Sequence, residues 1–283
     1  MSSYNLDARL QTQEIYLDSQ YATVNNTNGK NSNVYFFLNA PISVPNDHDI
    51  VLRIDNFVLP ISFFVINNET NTLVVNSVSY IIPVGNYNAI DLKTEMDALL
   101  PTITVSFDEN NNKFTFTSAS PFTLNSSSTC FRKIGFSENT NHVAVLVGLD
   151  YVLTSDFVCN LAGTSLVYID IPNLTTKNIS SKNGGGYTSI VKSVVVDVPY
   201  GAILTYTNNT NSAVVLKEKY ISFFQIRLLD DQYQLLDLNN QNFTLTFELF
   251  FYYNGQQVLT GDNLIDAVRQ QEEIKRNLLN KQE

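Results

Sequence analysis

Apolar and polar residues alternate with a period of two through most of this chain, in runs bounded by Asn, Ser, Gly and Pro. That pattern predicts strands with one face buried and one face wet. Early runs are "EIYLDSQYA" (14–22), "NVYFFLNAPI" (33–42) and "DIVLRIDNFVLP" (49–60). Val34, Phe36, Leu38 and Ala40 share a face of the second run, and Ile50, Leu52 and Ile54 share one of the third. Later runs are "TSLVYIDIP" (164–172), "SIVKSVVVDVP" (189–199), "GAILTYT" (201–207), "KYISFFQIRLL" (219–229) and "NFTLTFELFFYY" (242–253). In the last, Phe243, Leu245, Phe247, Leu249 and Phe251 lie opposite Thr244, Thr246 and Glu248. Eight strands with long connections and no helices between them predict a sandwich, most simply a jelly roll of two four-stranded sheets. An immunoglobulin-like sandwich is the alternative at this point.

One stretch breaks the pattern. In "YIIPVGNYNAIDLKTEMDALLPTITVSFDENNNKFTFT" (80–117), Gly85 and Asn86 make a turn and Asn88 is placed to cap a helix, with Asp91 in its first turn. Leu92, Met96 and Leu99 or Leu100 recur at helical spacing, and Pro101 stops the helix. "TITVSF" and "KFTFTS" then pair across the polar tip "DENNN". A helix this short is marginal alone and must lie on a sheet. The expected organisation is a discontinuous sandwich (1–69 and 148–258), an inserted α+β module (70–147) and a helix-favouring tail (259–283). The fold class is mainly β, a single jelly-roll sandwich with that insertion and tail.

Composition narrows the function. The chain has 283 residues, 44% hydrophobic and 16% charged, with Asn, Ser and Thr filling the polar positions. A net charge of −10 without any Lys/Arg cluster argues against a nucleic-acid partner. "MSSYNLDARLQTQ" carries no basic–apolar–small signal, and no apolar run is long enough for a membrane helix. Cys130 and Cys159 allow one disulfide at most and are expected to be reduced. The sequons at Asn68, Asn173 and Asn242 are therefore read as compositional.

Candidate chemistry is sparse. His48 and His142 are far apart in sequence, and neither "STCFRK" nor "FVCNLA" is a nucleophile signature. "KNGGGYTS" (182–189) lacks the ending of a phosphate loop and precedes a strand, and "NGKNS" lacks the earlier glycine. In "DENNNK", Asp108, Asn110 and Asn112 alternate as calcium ligands would, but Lys113 stands where Gly is needed and Ala119 where Glu is. Asp230 and Asp231 are adjacent and so diverge on an extended chain. No catalytic, cofactor-binding or metal residue is assigned, no cofactor is expected, and the chain is expected not to be an enzyme.

Six segments carry a resemblance. "IIPVGNYNAIDLKTEMDALL" (81–100) is similar to the "I-P-x-G-x-Y-x-x-x-x-L" turn and helix of the minor capsid (penton) proteins of virophages and Polinton-like viruses. "ITVSFDENNNKFTFTS" and "KIGF" (133–136) resemble the hairpin and Leu-Gly-Phe-like segment that follow it there, with Ile134 in place of Leu. "YIDIPNL" (168–174), "VVVDVPYGAILTYTN" (194–208) and "IRLLDDQYQLLDLNNQNFTLTFEL" (226–249) resemble the family's C-terminal half. The resemblance covers roughly residues 80–250 and implies a single jelly roll forming homopentamers at the fivefold vertices of an icosahedral capsid. It further implies contact with major capsid protein capsomers, location in the virion, and a module that decorates the vertex. The terminal segments would face inward or reach neighbours, and no membrane insertion is implied. The alternative function is a β-sandwich binding module, either a viral fibre head or a lectin-like glycan binder. A glycan hydrolase stands third, since it would need two converging carboxylates.

Overall fold

The structure is a computed structural model that describes residues 11–22, 24–25, 31–181, 184–210 and 212–253. The expected helical tail (259–283) lies outside the described residues.

The first strands are β1 (Gln11–Asp18), the short β2 (Val24–Asn25), β3 (Asn33–Ser43) and β4 (His48–Pro60). On β4 the inward set Ile50, Leu52 and Ile54 gives way to Phe57 and Leu59, all buried. The change of parity comes from a bulge: Thr246 faces Asn56 and Phe247 faces Ile54, so Asp55 has no opposite number. One extra residue lets both halves of a long strand bury alternate side chains on the same side.

Between β4 and the next sandwich strand lies a second compact unit, Ser62–Ser165. It holds β5 (Thr72–Val75), β6 (Val78–Ile81), α1 (Ala89–Leu99), β7 (Thr104–Asp108), β8 (Lys113–Ser118) and β9 (Thr123–Leu124). The short helix α2 (Phe131–Ile134), β10 (His142–Val143), β11 (Val145–Val147) and β12 (Asp150–Thr154) complete it. Two sheets form, β10-β9-β5-β6 and β11-β12-β8-β7. Their shared core is built on Leu92 and Met96 of α1, Phe114 and Phe116 of β8, and Phe131 and Ile134 of α2. The expected bounds of 70–147 are too narrow, because a cut after residue 147 falls inside the β11–β12 hairpin, whose closing pair is Val147 and Asp150. β12 is also bound to β8 through Tyr151↔Ser118 to Thr154↔Thr115.

The chain returns to the sandwich with β13 (Leu166–Asp170), the hairpin β14 (Ile179–Ser180) and β15 (Gly186–Tyr187), and β16 (Ile190–Val195). It ends with β17 (Ile203–Thr207), β18 (Val214–Val215), β19 (Tyr220–Leu229) and β20 (Thr244–Tyr253). Within the glycine-rich segment, Gly186 and Tyr187 form β15, and Tyr187 pairs with Ile179.

Eight strands pair from the outside inward, all antiparallel. The first pairs with the eighth (β1 with β20), the second with the seventh (β3 with β19), the third with the sixth (β4 with β17), and the fourth with the fifth (β13 with β16). This folded ribbon is then rolled, joining β20 to β4 and β19 to β13. The result is two sheets, β1-β20-β4-β17 and β16-β13-β19-β3, with β18 and β2 as short additions. That order is a jelly roll. Phe224 of one sheet meets Phe247 of the other edge to face at 4.9 Å, and both are fully buried. Each such side chain contributes about 1.5–3 kcal/mol by leaving water, so period-two aromatics on two strands suffice to clamp the sheets together.

Candidate interaction surfaces

The cysteines are held as protonated thiols. Cys130 is fully buried at the start of α2 and its thiol is pushed up to about 12 by burial. Burial also raises the Cys159 thiol, and both cysteines are free. Neither is a thiolate at neutral pH, so neither is an activated nucleophile.

His142 is buried, and packs between the rings of Phe131 (5.1 Å) and Phe136 (4.8 Å). Its Nε2 is 2.9 Å from the Ser137 carbonyl oxygen and its Nδ1 is 3.5 Å from Asp156. Ser137 is nearby, but its hydroxyl donates to Asp156 at 3.0 Å. A serine hydrolase needs the hydroxyl on the histidine; here Nε2 donates to a carbonyl and has no free lone pair. Ser, His and Asp have met in an order that locks a loop. Spacing alone gave no sign of this cluster, because its members lie on either side of the β11–β12 hairpin.

The remaining sequence candidates lie at strand ends and turns. Asp108 accepts the Asn110 amide at 2.9 Å and the Asn111 side chain at 2.6 Å, which closes the β7–β8 hairpin. Asp230 accepts the amides of Gln232 and Gln234 at 2.9 and 2.8 Å. His48 bonds its neighbour Asp47 at 2.8 Å. No group of three His, Cys, Asp or Glu is positioned for a metal among the described residues. No helix among them is long and apolar enough to cross a membrane.

Larger surfaces carry more. On the outer side of the β3-containing sheet, Phe223 of β19 faces Phe37 of β3 with ring centres 5.5 Å apart, and Tyr35 lies 6.3 Å from Phe223. Phe37 is 53% exposed, and an amide pair, Gln225 to Asn33 at 3.0 Å, borders the cluster. The outer side of the other sheet is ionic. Arg53 bonds Asp55 and Glu248, each at 2.7 Å, and lies over the Phe250 ring at 5.1 Å. Glu14 faces Glu248 directly across β1 and β20. Burial pushes the Asp55 carboxyl up in spite of Arg53. Tyr16, bonded to Glu14 and raised chiefly by that bond, is exposed above them. The two outer faces therefore differ, one carrying the aromatic cluster and amide pair beside the Arg227–Asp170 ion pair, the other carrying several carboxylates around Arg53.

No protein-family model and no curated relative matches the sequence. Among solved structures, the chain is similar to the mavirus penton protein, at 15% identity and a TM-score of 0.42, over 84% of this chain and 99% of that one. It is also similar to VP17, a capsid protein of bacteriophage P23-77, at 9% identity and a TM-score of 0.19, over 86% of this chain and 98% of that one. The fold assignment stands on this chain's own strand order.

The segment 81–100 forms a self-bonded clasp. Tyr87 donates its hydroxyl to the Pro83 carbonyl at 2.9 Å, and the Tyr87 ring lies 3.4 Å from where a side chain on Gly85 would begin. Gly85 and Ile66 exchange both backbone hydrogen bonds at 3.0 Å. Asn88 then caps α1, accepting the Asp91 amide at 2.8 Å and donating back to its carboxylate at 2.7 Å. Proline, glycine and tyrosine at these spacings make one unit: a rigid turn, room for a ring, and a ring that ties the turn shut. "KIGF" ends α2, with Gly135 at φ +85° as the left-handed C-cap.

Proposed function

We propose that the chain is a structural subunit of an icosahedral virus capsid, a penton protein that closes into homopentamers at the fivefold vertices. The observation that carries this reading is the jelly-roll strand order with a compact unit inserted between its third and fourth strands, where the Pro83–Gly85–Tyr87 clasp stands in the insertion. A ring of five uses a heterologous contact, two different patches of one chain meeting around the axis. The unlike outer faces supply such a pair: the Tyr35–Phe37–Phe223 cluster and the Glu14–Arg53–Glu248 face with its exposed Tyr16. Aromatic centres with polar rims are typical of subunit contacts. The surrounding partners are major capsid protein capsomers, and the protein resides in the virion. The buried Cys130 thiol and a histidine committed to a loop agree with a role in assembly over one in catalysis.

Native mass spectrometry of the purified full chain tests this. The expected particle has five times the 31.8 kDa of one chain. A monomer at all concentrations would overturn the reading, and a trimer would favour a fibre head.

A further inference from the structure

We propose that the edge strand β11 is a self-recognition strand, pairing antiparallel with β11 of a second copy about a two-fold axis through Leu146. β11 ends its sheet, β11-β12-β8-β7, and no described strand covers its outer side. Val145, Leu146 and Val147 are 65%, 56% and 61% exposed, and Leu149 at the hairpin tip is 92% exposed. Adjacent strand residues point to opposite faces, so both faces of β11 are apolar and open. Proteins ordinarily blunt such an edge with charge, proline or a cover, yet no charged residue occurs from Val143 to Leu149.

The backbone indicates a strand as the partner. Gly148 and Leu149 form a two-residue loop closed by Val147 and Asp150, and a closing pair of that kind exchanges both its hydrogen bonds. Alternation then turns the N–H and C=O of Leu146 away from Tyr151, toward the free edge. One donor and one acceptor on a single residue are satisfied by the same residue of an antiparallel copy.

The side chains indicate which strand. Val145-Leu146-Val147 reads the same in both directions, so the two-fold sets Leu146 against Leu146 and Val145 against Val147, with small Ala144 and Gly148 flanking. A symmetric pairing brings a charge on the axis against its own copy, and the axial residue here, Leu146, is neutral. Two four-stranded sheets would join into one of eight. Three residues a side fall short of the roughly 1,200 Å² of a lasting interface, so the pairing is reversible and depends on concentration. It is independent of the ring, since a two-fold contact cannot close a fivefold one.

The test is sedimentation of the full chain over about a hundredfold range of concentration. The weight-average mass of the wild type should rise with concentration, toward twice that of a dilute monomer and further if the dilute particle is a ring, which carries five such strands. Leu146→Lys sets two ammonium groups against each other and should abolish the rise while leaving the dilute particle unchanged. Val145→Lys combined with Val147→Glu sets unlike charges opposite each other across the two-fold and should keep the rise. No rise in the wild type, a rise that survives Leu146→Lys, or one lost in the double variant would each overturn the pairing. The mass of the dilute particle reports on the ring alone, so the two proposals fail separately.

Discussion

Replacing Gly135 by alanine should be among the most damaging single changes in the inserted unit. Gly135 has φ +85°, and a Cβ there would lie 2.3 Å from the Phe157 carbonyl oxygen and 3.1 Å from the carbonyl carbons of Phe157 and Val158. The left-handed backbone alone costs an alanine about 1 kcal/mol. The overlap is larger, because the obstacle is main chain and ordinary contact needs about 1 Å more room. Moving it stretches the Phe157 N–H to Gly135 C=O bond, now 2.8 Å, worth about 1 kcal/mol. It also disturbs Phe131, Ile134 and Phe136, all buried, where loosened packing costs about 1–3 kcal/mol. The total is about 3–5 kcal/mol, a large share of an ordinary domain's 5–15 kcal/mol. Gly148 is the control: its φ is +67° but nothing lies within 4 Å of its missing Cβ, so alanine there costs only the backbone part, about 1 kcal/mol. Urea unfolding of both variants measures the difference. If Gly135→Ala is within about 0.5 kcal/mol of Gly148→Ala, the close approach does not constrain the chain and the reasoning fails.

Asn88→Ala removes the cap of α1 and should destabilise the inserted unit by about 1 kcal/mol, read as a lower urea midpoint; an unchanged midpoint would mean solvent caps the helix equally well. Asp49 is 8% exposed, and although burial pushes its carboxyl up, the Lys219 bond and the charges of Lys177 and Lys219 outweigh this and hold it below 3.8. A lowered folded value contributes stability that is full above the unfolded value and lost as pH falls through the folded one, so the advantage of wild type over Asp49→Asn should shrink on acidification below about pH 4; a constant gap in urea unfolding from pH 7 to 3 would refute it. Replacing Ser62–Ser165 by a short Gly-Ser linker should leave a sandwich that unfolds cooperatively by circular dichroism; a molten product would show that the roll needs its insertion.

Strands buried on one side were legible because their period is enforced by water. β20 and β19 fall where alternation sets them, and α1 follows its Asn88 cap and its Leu92 and Met96 stripe. The β4 bulge was hidden, since "RIDNF" shows no break until Thr246 and Phe247 face it. The β11–β12 hairpin was missed for the opposite reason: "VAVLVGL" has no polar alternation, and its side chains stay exposed. Pairing with β8 holds it, a long-range effect that local pattern does not encode. The Ser137–His142–Asp156 cluster was equally invisible, because a fold brings its members together. The aromatic and ionic outer faces were half legible: alternation marks Phe37, Phe223 and Glu248 as outward, but only strand order makes the first two neighbours.

Electron microscopy of the purified full chain in negative stain shows directly whether it forms a fivefold ring. Class averages should have five equal lobes. Averages with threefold symmetry, or single particles with no ring at any concentration, would contradict it.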